Sequence, residues 1–208
     1  MTVRSGLTST ERTFFDVVTS QRACREFSDG SVSDADLTQV LAAATHAPSA
    51  MNHQPWVFVV VRDAKARSAL VTIMRELWVA FGRDATEGHV PSRLLDEVDR
   101  GFTTTLLGAP VLIVVGGDTD IAPPDQLPWS VYPAVQNLLL AAGALGLGSI
   151  LTTMALPRAD EVRAAVGFPD NVLPMAIVPI GWPARPLGPA RRKPLKEKAF
   201  RERYGTSW

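Results

Sequence analysis

Four short apolar segments most constrain the fold of this chain, and longer stretches with a helical pattern lie before and between the first three of them. They lie at residues 57–61, 109–117, 149–153 and 174–181. The first, Val57–Val61, is apolar and rich in β-branched residues, which predicts a strand buried on both faces. Strands of this kind that alternate with helices indicate a mixed α/β or α+β sheet covered by helices on both faces.

The helical pattern predicts four helices, at residues 10–18, 33–44, 64–81 and 131–145. Ser33 is the expected N-cap of the second helix, and Asp34 and Asp36 follow in its first turn, where they suit the helix dipole. The third helix has one apolar face, formed by Leu70, Ile73, Leu77 and Phe81. The fourth helix is apolar almost all the way round, so we expect it to be buried, in part against a second subunit. The Pro-rich segment before it, residues 122–129, is expected to be a loop.

The composition places the chain among ordinary globular proteins and argues against several classes of partner. Its 208 residues fit one domain, and its formal net charge of +0 does not favour a general attraction to nucleic acid. Cys24 is the single cysteine, so no intramolecular disulfide is expected. The first residues lack an apolar signal-peptide core, and no apolar run is long enough to span a bilayer. We therefore expect a cytoplasmic protein that binds neither nucleic acid nor membranes.

A polar turn stands directly before the first strand. Ser49, Asn52, His53 and Gln54 place several neutral hydrogen-bonding groups within six positions. Such a turn suits a flat polar ligand, and it equally suits a tight chain reversal, because Ser and Asn favour turn geometry on their own.

Basic and hydroxyl side chains form further candidate binding groups. Arg22 and Arg25 are three positions apart in a polar turn, where two guanidinium groups can grip a phosphate or simply be solvated. Thr152 and Thr153 end a predicted strand, so their hydroxyls can donate to a ligand or satisfy the chain reversal. The basic run 191–193 in the tail can complete a phosphate site, contact nucleic acid or lie in water.

Several kinds of chemistry lack their motifs. The glycines of residues 142–149 close a helix and precede a strand, which is the reverse of the order in a dinucleotide-binding loop. No P-loop, GxSxG elbow or metal-ligand spacing occurs, and the three histidines are isolated from each other. A chain with scattered neutral donors and arginines, but no evident nucleophile or base, is typical of proteins whose chemistry belongs to a cofactor.

Taken together, five motifs resemble the nitroreductase family of flavin enzymes, in particular its short members related to iodotyrosine deiodinase. They are RACREF (22–27), APSAMNHQPWVFVVV (47–61), AVQNLLLAAGALGLGS (134–149), LTTMAL (151–156) and PIGWPARPLGPARRKPLKE (179–197). The motifs occur in the order and spacing of the family. The resemblance implies an α+β fold: a three-layer α/β/α sandwich with a central mixed, mainly antiparallel sheet, in an intertwined homodimer.

The resemblance also implies the site. Residues 1–182 would form the FMN-binding domain, and residues 183–208 a C-terminal extension that wraps the partner subunit. The residues that match cofactor-binding positions are Arg22, Ala23, Arg25, Ser49, Asn52, Thr152, Thr153 and Arg192. The two threonines match a segment near the flavin N5 from the opposite subunit. Gln54 matches a position that orders the turn. Ala23 replaces the serine of the family motif, which removes one hydroxyl contact near the phosphate.

The implied function is that of an FMN-dependent NAD(P)H oxidoreductase. NADH or NADPH would reduce the flavin, and a small nitroaromatic, quinone or activated-alkene acceptor would then reoxidise it in a ping-pong cycle. No side chain need act as acid or base, so no catalytic residue and no metal are expected. Two alternatives remain: a flavin-dependent reductive dehalogenase, and a flavin-sequestering protein with little turnover. Residues 74–100, where deiodinases carry a lid with Glu, Tyr and Lys, contain Glu76 but neither tyrosine nor lysine.

Overall fold

A four-stranded sheet forms the centre of the molecule in a computed structural model, which describes residues 13–188 and 190–208. The strands are β1 (Trp56–Val61), β2 (Val111–Asp118), β3 (Gly148–Ser149) and β4 (Val172–Gly181). Their order is β1-β2-β4-β3, and each neighbouring pair is antiparallel. An isolated parallel bridge joins Ala23 to Ser149 beyond β3. The first residues of the predicted domain and of the predicted helix 10–18 lie outside the described residues.

Seven α-helices occur in the described residues. They are α1 (Phe14–Ser20), α2 (Asp34–Thr45), α3 (Ala64–Leu77), α4 (Arg83–Thr86), α5 (Ser92–Arg100), α6 (Leu127–Ala144) and α7 (Ala159–Val166). Ser33 is the N-cap of α2 and its hydroxyl accepts a hydrogen bond from the Asp36 N–H at 3.0 Å, as the sequence predicts. None of these helices is both long and apolar enough to cross a bilayer.

Helices cover both faces of the sheet and divide the core into two halves. On one face, side chains of β2 and β4 such as Ile113 and Val178 pack against α2 and α6. On the other, Leu112 and Ile177 pack against α3, α5 and α7. Alternate residues of each strand therefore enter different halves of the core. This arrangement confirms the predicted α+β, three-layer α/β/α sandwich with a mainly antiparallel sheet.

Strand β1 departs from the prediction of burial on both faces. Its residues Trp56–Val60 are only partly buried, and Val61 is buried. The reason is its position, because β1 is an edge strand that pairs with β2 alone in the described part of the chain. The predicted strand at 149–153 is also shorter, since β3 ends at Ser149 and only Thr152 bridges to Ile177.

A π-helical turn after α3 changes which side chains face the core. Leu70, Ile73 and Leu77 are buried as predicted, but Phe81 is 44% exposed. Residues Trp78–Gly82 form the π turn, which has one more residue per turn than the spacing of an α-helix allows for. Phe81 lies within this turn and is therefore rotated away from the apolar face of α3. The predicted loop 122–129 is wrong at its end, because Leu127–Trp129 begin α6, with a proline in the first turn, where that residue is favoured.

Several large apolar side chains of α1 and α6 remain exposed. On α1, Phe14 is 69% and Phe15 75% exposed, and Trp129 at the start of α6 is 73% exposed. The tail, residues 190–208, is mostly exposed. The hydrogen bonds that the structure describes for this tail all join residues within it, such as the Arg201 N–H and the Thr206 carbonyl. The tail therefore makes little contribution to the core of its own protomer.

Candidate functional site

A cavity of about 290 Å³ lies at the end of the sheet where β4 stops. Five arginines and two glutamates line it, so its walls carry an excess of three positive charges. These residues are Arg22, Arg25, Arg93, Arg100, Arg185, Glu26 and Glu97. Such a cavity favours an anionic group, because guanidinium donors form charge-assisted hydrogen bonds with phosphate and carboxylate oxygens.

The segment with Arg22 and Arg25 is held as an extra strand at the edge of the sheet. Ala23 bridges to Ser149, and the Cys24 N–H donates to the Ser149 carbonyl at 3.0 Å. Cys24 is 1% exposed and packs on Gly148, where a Cβ atom would lie 2.5 Å from its sulfur. Burial raises the pKa of the Cys24 thiol, which makes it a packing residue and not a nucleophile.

Among the cavity arginines with a described ion pair, Arg25 has the side chain that is least exposed to solvent. Its side chain is 14% exposed, and its Nη1 lies 3.1 Å from Glu97 Oε1. The side-chain stem packs on Gly101, and the Thr105 hydroxyl donates to the Arg25 carbonyl at 2.6 Å. Burial lowers the pKa of Arg25, and the Glu97 carboxylate partly offsets this effect. Among the described residues, its buried Nε has no hydrogen-bond partner.

Arg22 lies beside Arg25 and is more exposed. Its Nη2 is 3.8 Å from the same Glu97 oxygen, and its Nη1 donates to the Gly188 carbonyl at 3.4 Å. The pair predicted to grip a phosphate is therefore brought together, and residues 185–188 close one side of the cavity. Ala23 also lines the cavity but offers no side-chain donor.

The other charged residues of the cavity were missed in the sequence analysis. Arg93, Glu97 and Arg100 stand on one face of α5, at the spacing i, i+4, i+7 of a helical stripe. Glu26 is held between Arg100 and Arg185, with both Nε–oxygen distances at 3.1 Å. The spacing of the three charged residues on α5 can be seen in the sequence. No local pattern, however, indicates that they lie beside Arg22 and Arg25, which are about 70 positions earlier in the chain.

The polar turn before β1 is strained and internally hydrogen-bonded. Met51, Asn52 and Gln54 have φ of 50°, 58° and 53°, a left-handed conformation that is uncommon for residues other than glycine. Ser49 accepts a hydrogen bond from the Gln54 N–H at 3.0 Å, and Ser130 accepts one from the Ala50 N–H at 3.1 Å. The Gln54 amide donates to the Asn52 side-chain oxygen at 3.2 Å. The turn is thus held in a costly conformation that leaves Asn52 exposed.

The predicted cofactor-binding residues fall into three places within one protomer. Arg22, Ala23 and Arg25 line the cavity, and Thr152 and Thr153 follow on the same sheet edge. Ser49 and Asn52 lie beside the opposite end of β2, since the Asp118 N–H donates to the Pro55 carbonyl. Eight-residue β2 separates the two ends by about 25 Å. Arg192 lies in the exposed tail, where its Nη1 donates to the Arg191 carbonyl at 3.0 Å.

In the segment compared with a deiodinase lid, the side chains of Glu76 and Trp78 are both engaged within the protomer. Glu76 Oε2 accepts a hydrogen bond from Arg158 Nη1 at 2.6 Å, which raises the pKa of Arg158. Trp78 is 2% exposed and stacks on Phe102, so it belongs to the core. Within the described residues, no group of three or more His, Cys, Asp or Glu could hold a metal ion.

Replacing Gly148 by alanine is expected to destabilise the protein by about 1–3 kcal/mol, the usual cost of overpacking a core. The new Cβ would lie 2.5 Å from the Cys24 sulfur and 2.7 Å from its Cβ, so the segment of Arg22 and Arg25 must move. Urea unfolding measures the loss. Gly108→Ala is the control, because only the Phe27 carbonyl oxygen, at 4.0 Å, is near its Cβ position. Equal stability of the two variants would contradict the packing described here.

Several known proteins are similar to this chain in sequence and in fold over most of their length. An iodotyrosine deiodinase of Thermotoga neapolitana is 32% identical over 176 residues, which are 83% of this chain and 89% of that protein. A Thermus thermophilus protein named NADH dehydrogenase is 31% identical over 192 residues, covering 85% of this chain and 89% of the relative. The structure of an oxidized iodotyrosine deiodinase bound to FMN and 3-iodo-L-tyrosine matches with a TM-score of 0.70 at 28% identity, covering 90% of this chain and all of that one.

The family model described as "Nitroreductase family" matches residues 18–182, which include both the arginine segment and the strained turn. The match confirms the resemblance that the five motifs carried, and it agrees with the antiparallel sheet and its two helical layers. The chain belongs to the nitroreductase family.

Proposed function

We propose that the protein is an FMN-dependent NAD(P)H oxidoreductase that reduces small nitroaromatic, quinone or activated-alkene acceptors. The observation that carries the proposal is the meeting of Arg22 and Arg25 in one positively charged cavity at the sheet edge. The names of relatives support it, since one is an NADH dehydrogenase and one solved deiodinase binds FMN.

The cavity residues fit the phosphate group of FMN. A phosphomonoester carries close to two negative charges, and the lining has three positive charges in excess. Arg25 offers an Nε–H that is buried and without a partner among the described residues, which is a position where a further acceptor is needed. Arg22 and Arg25 would therefore hold the phosphate through forked, charge-assisted hydrogen bonds.

The strained turn reaches the same cofactor only from a second copy of the chain. Ser49 and Asn52 stand at the opposite end of the sheet from Arg22 and Arg25, so one protomer does not bring them together. We assign the arginines and Thr152 to one subunit and the turn to its partner. This division differs from the one expected from the resemblance, which gave Thr152 and Thr153 to the opposite subunit.

Three surfaces favour a homodimer. Edge strand β1 is open on one side among the described residues, and unpaired strand edges are normally covered. Exposed Phe14, Phe15 and Trp129 give apolar surface that a partner would bury. The described hydrogen bonds of the tail, residues 190–208, join residues within the tail and not the rest of its protomer. The tail is therefore suited to packing on the partner subunit and to placing Arg192 beside the phosphate site.

In this arrangement the side chains would bind and orient FMN, and none of them would itself take part in the electron transfer. When bound, FMN would accept a hydride from NADH or NADPH and pass two electrons to the acceptor. The arginines would hold the phosphate end of FMN, and the strained turn would hold the ring end through its neutral donors. The hydroxyl of Thr152 or Thr153 would offer the flavin a further hydrogen-bond donor, and a donor of this kind would favour the reduced flavin.

Reductive dehalogenation is the second candidate, and the deiodinase relatives favour it. The lid segment argues against an amino-acid substrate. Glu76 is bonded to Arg158, and residues 74–100 have no tyrosine or lysine to pair with a zwitterion. We therefore place the reduction of uncharged conjugated acceptors first.

Anaerobic addition of NADH or NADPH to the FMN-loaded protein is expected to bleach the flavin absorbance, and a model nitroaromatic acceptor should restore it. Stopped-flow absorbance measures both half-reactions. Halide release from an iodinated phenol, without acceptor turnover, would favour the dehalogenase. A bound flavin that neither nucleotide reduces would favour a sequestering role. A protein that cannot be loaded with FMN would contradict the proposal as a whole.

A further inference from the structure

We propose that Glu97 competes with the phosphate group for Arg22 and Arg25, and that a bound phosphate displaces its carboxylate from between the two guanidinium groups. This inference rests on the proposed function, because it concerns the same phosphate-binding arginines. It adds a residue of helix α5 that sets how tightly the protein binds its cofactor.

A single oxygen of Glu97 faces both arginines. Its Oε1 lies 3.1 Å from Arg25 Nη1 and 3.8 Å from Arg22 Nη2. A phosphate oxygen that bridges the same two guanidinium groups requires the same position. The carboxylate and the phosphate therefore exclude each other, both by volume and by like charge.

The surroundings make this competition strong. The side chains of Glu97 and Arg25 are only 24% and 14% exposed, so solvent screens their charges less than it screens a surface pair. Glu26, the other carboxylate of the cavity, is already held between Arg100 and Arg185. Glu97 is thus the carboxylate that a phosphate on Arg22 and Arg25 would meet.

A displaced Glu97 has a second partner on its own helix. Arg93 lies four positions earlier on α5 and lines the same cavity. Side chains at i and i+4 on a helix can form an ion pair, so rotation of Glu97 toward Arg93 keeps the carboxylate compensated.

The consequence is a selective effect on flavins that carry a phosphate. FMN must displace the Glu97 carboxylate, whereas riboflavin has no phosphate and leaves it in place. Removing the charge of Glu97 should therefore strengthen FMN binding alone. If Glu97 instead served only to hold Arg25 in position, the same change would weaken FMN binding.

The test is the Kd of flavin-free wild type and of Glu97→Gln for FMN and for riboflavin, measured by flavin fluorescence. In Glu97→Gln the Kd for FMN should fall about tenfold, because a like charge beside the phosphate is removed. The Kd for riboflavin should not change, and the melting temperature of the flavin-free protein should fall because Arg25 loses its ionic partner. Asp96→Asn is the matched control: it makes the same charge change on an exposed neighbour and should leave both Kd values unchanged.

A Kd for FMN that is unchanged or higher in Glu97→Gln overturns the inference, as does equal tightening in Asp96→Asn. If Glu97→Gln does not fold, Glu97→Asp is the alternative variant. Its side chain is shorter by one methylene, so the carboxylate lies farther from the arginines and the Kd for FMN should still fall. A Kd for FMN equal to or above that of wild type would then overturn the inference. Failure of wild type to bind FMN would instead overturn the proposed function, and this inference with it.

Discussion

Replacing Arg25 by alanine is expected to weaken FMN binding by about 2–4 kcal/mol, or about 30- to 1,000-fold in Kd. Arg25 is the more enclosed of the two phosphate arginines, with a side chain that is 14% exposed. Loss of a hydrogen-bonded charge partner in such a position costs more than at a surface, because water replaces it poorly. Fluorescence titration of the flavin-free variant with FMN measures the effect.

Two further variants make this experiment specific. Arg25→Lys keeps the charge but not the planar fork, so its Kd should lie between those of wild type and Arg25→Ala. Arg62→Ala removes an arginine whose ion pair with Asp34 is exposed, and it should bind FMN as wild type does. An Arg25→Ala protein that is folded and binds FMN within twofold of wild type would show that the cavity is not the phosphate site.

Ending the chain at Gly188 is expected to convert the proposed dimer into a monomer and to abolish retention of FMN during gel filtration. The removed tail packs little on its own protomer, so its loss should act mainly on the contact between subunits. The open edge of β1 and the exposed aromatic side chains of α1 would then lose their cover. Light scattering coupled to gel filtration measures the mass, and absorbance the bound flavin.

Arg192→Ala separates the two roles that we propose for the tail, which are to hold the two subunits together and to bind the FMN phosphate. This variant should remain dimeric, because it alters one side chain of an exposed segment, yet it should retain less FMN. If it retains FMN as tightly as wild type, the tail does not deliver Arg192 to the phosphate. If the shortened chain remains a dimer with bound FMN, the part of the predicted extension 183–208 that follows Gly188 does not hold the two subunits together.

Local signals predicted the sheet and four of the seven α-helices in the described residues, which are α1, α2, α3 and α6, but not α4, α5 or α7. Ser33 with Asp34 and Asp36 marks the start of α2, and the apolar runs of β2 and β4 are nearly fully buried. These features depend on a few neighbouring residues, so one sequence suffices to find them. The motif order then pointed to the family, which the family match confirms.

Non-local contacts explain what the sequence did not show. Phe81 keeps the helical spacing of a core residue, but it lies in the π turn Trp78–Gly82 and is exposed at the surface. Glu97 lies in a segment for which the sequence predicted no helix, and only the fold places it against Arg22 and Arg25. Edge position likewise leaves β1 half-buried although its sequence is typical of a central strand.

The cavity closes between segments that are far apart along the chain, and this has a consequence for biosynthesis. Arg22 reaches the carbonyl of Gly188 across 166 positions, and Glu26 meets Arg185 across 159. A polypeptide still on the ribosome cannot complete these walls until residues 185–188 have been translated and have left the ribosome, because such long-range contacts form only when both segments are free to meet. An anion that needs the complete cavity is therefore bound only after that point and not by the newly made segment of Arg22 and Arg25 alone.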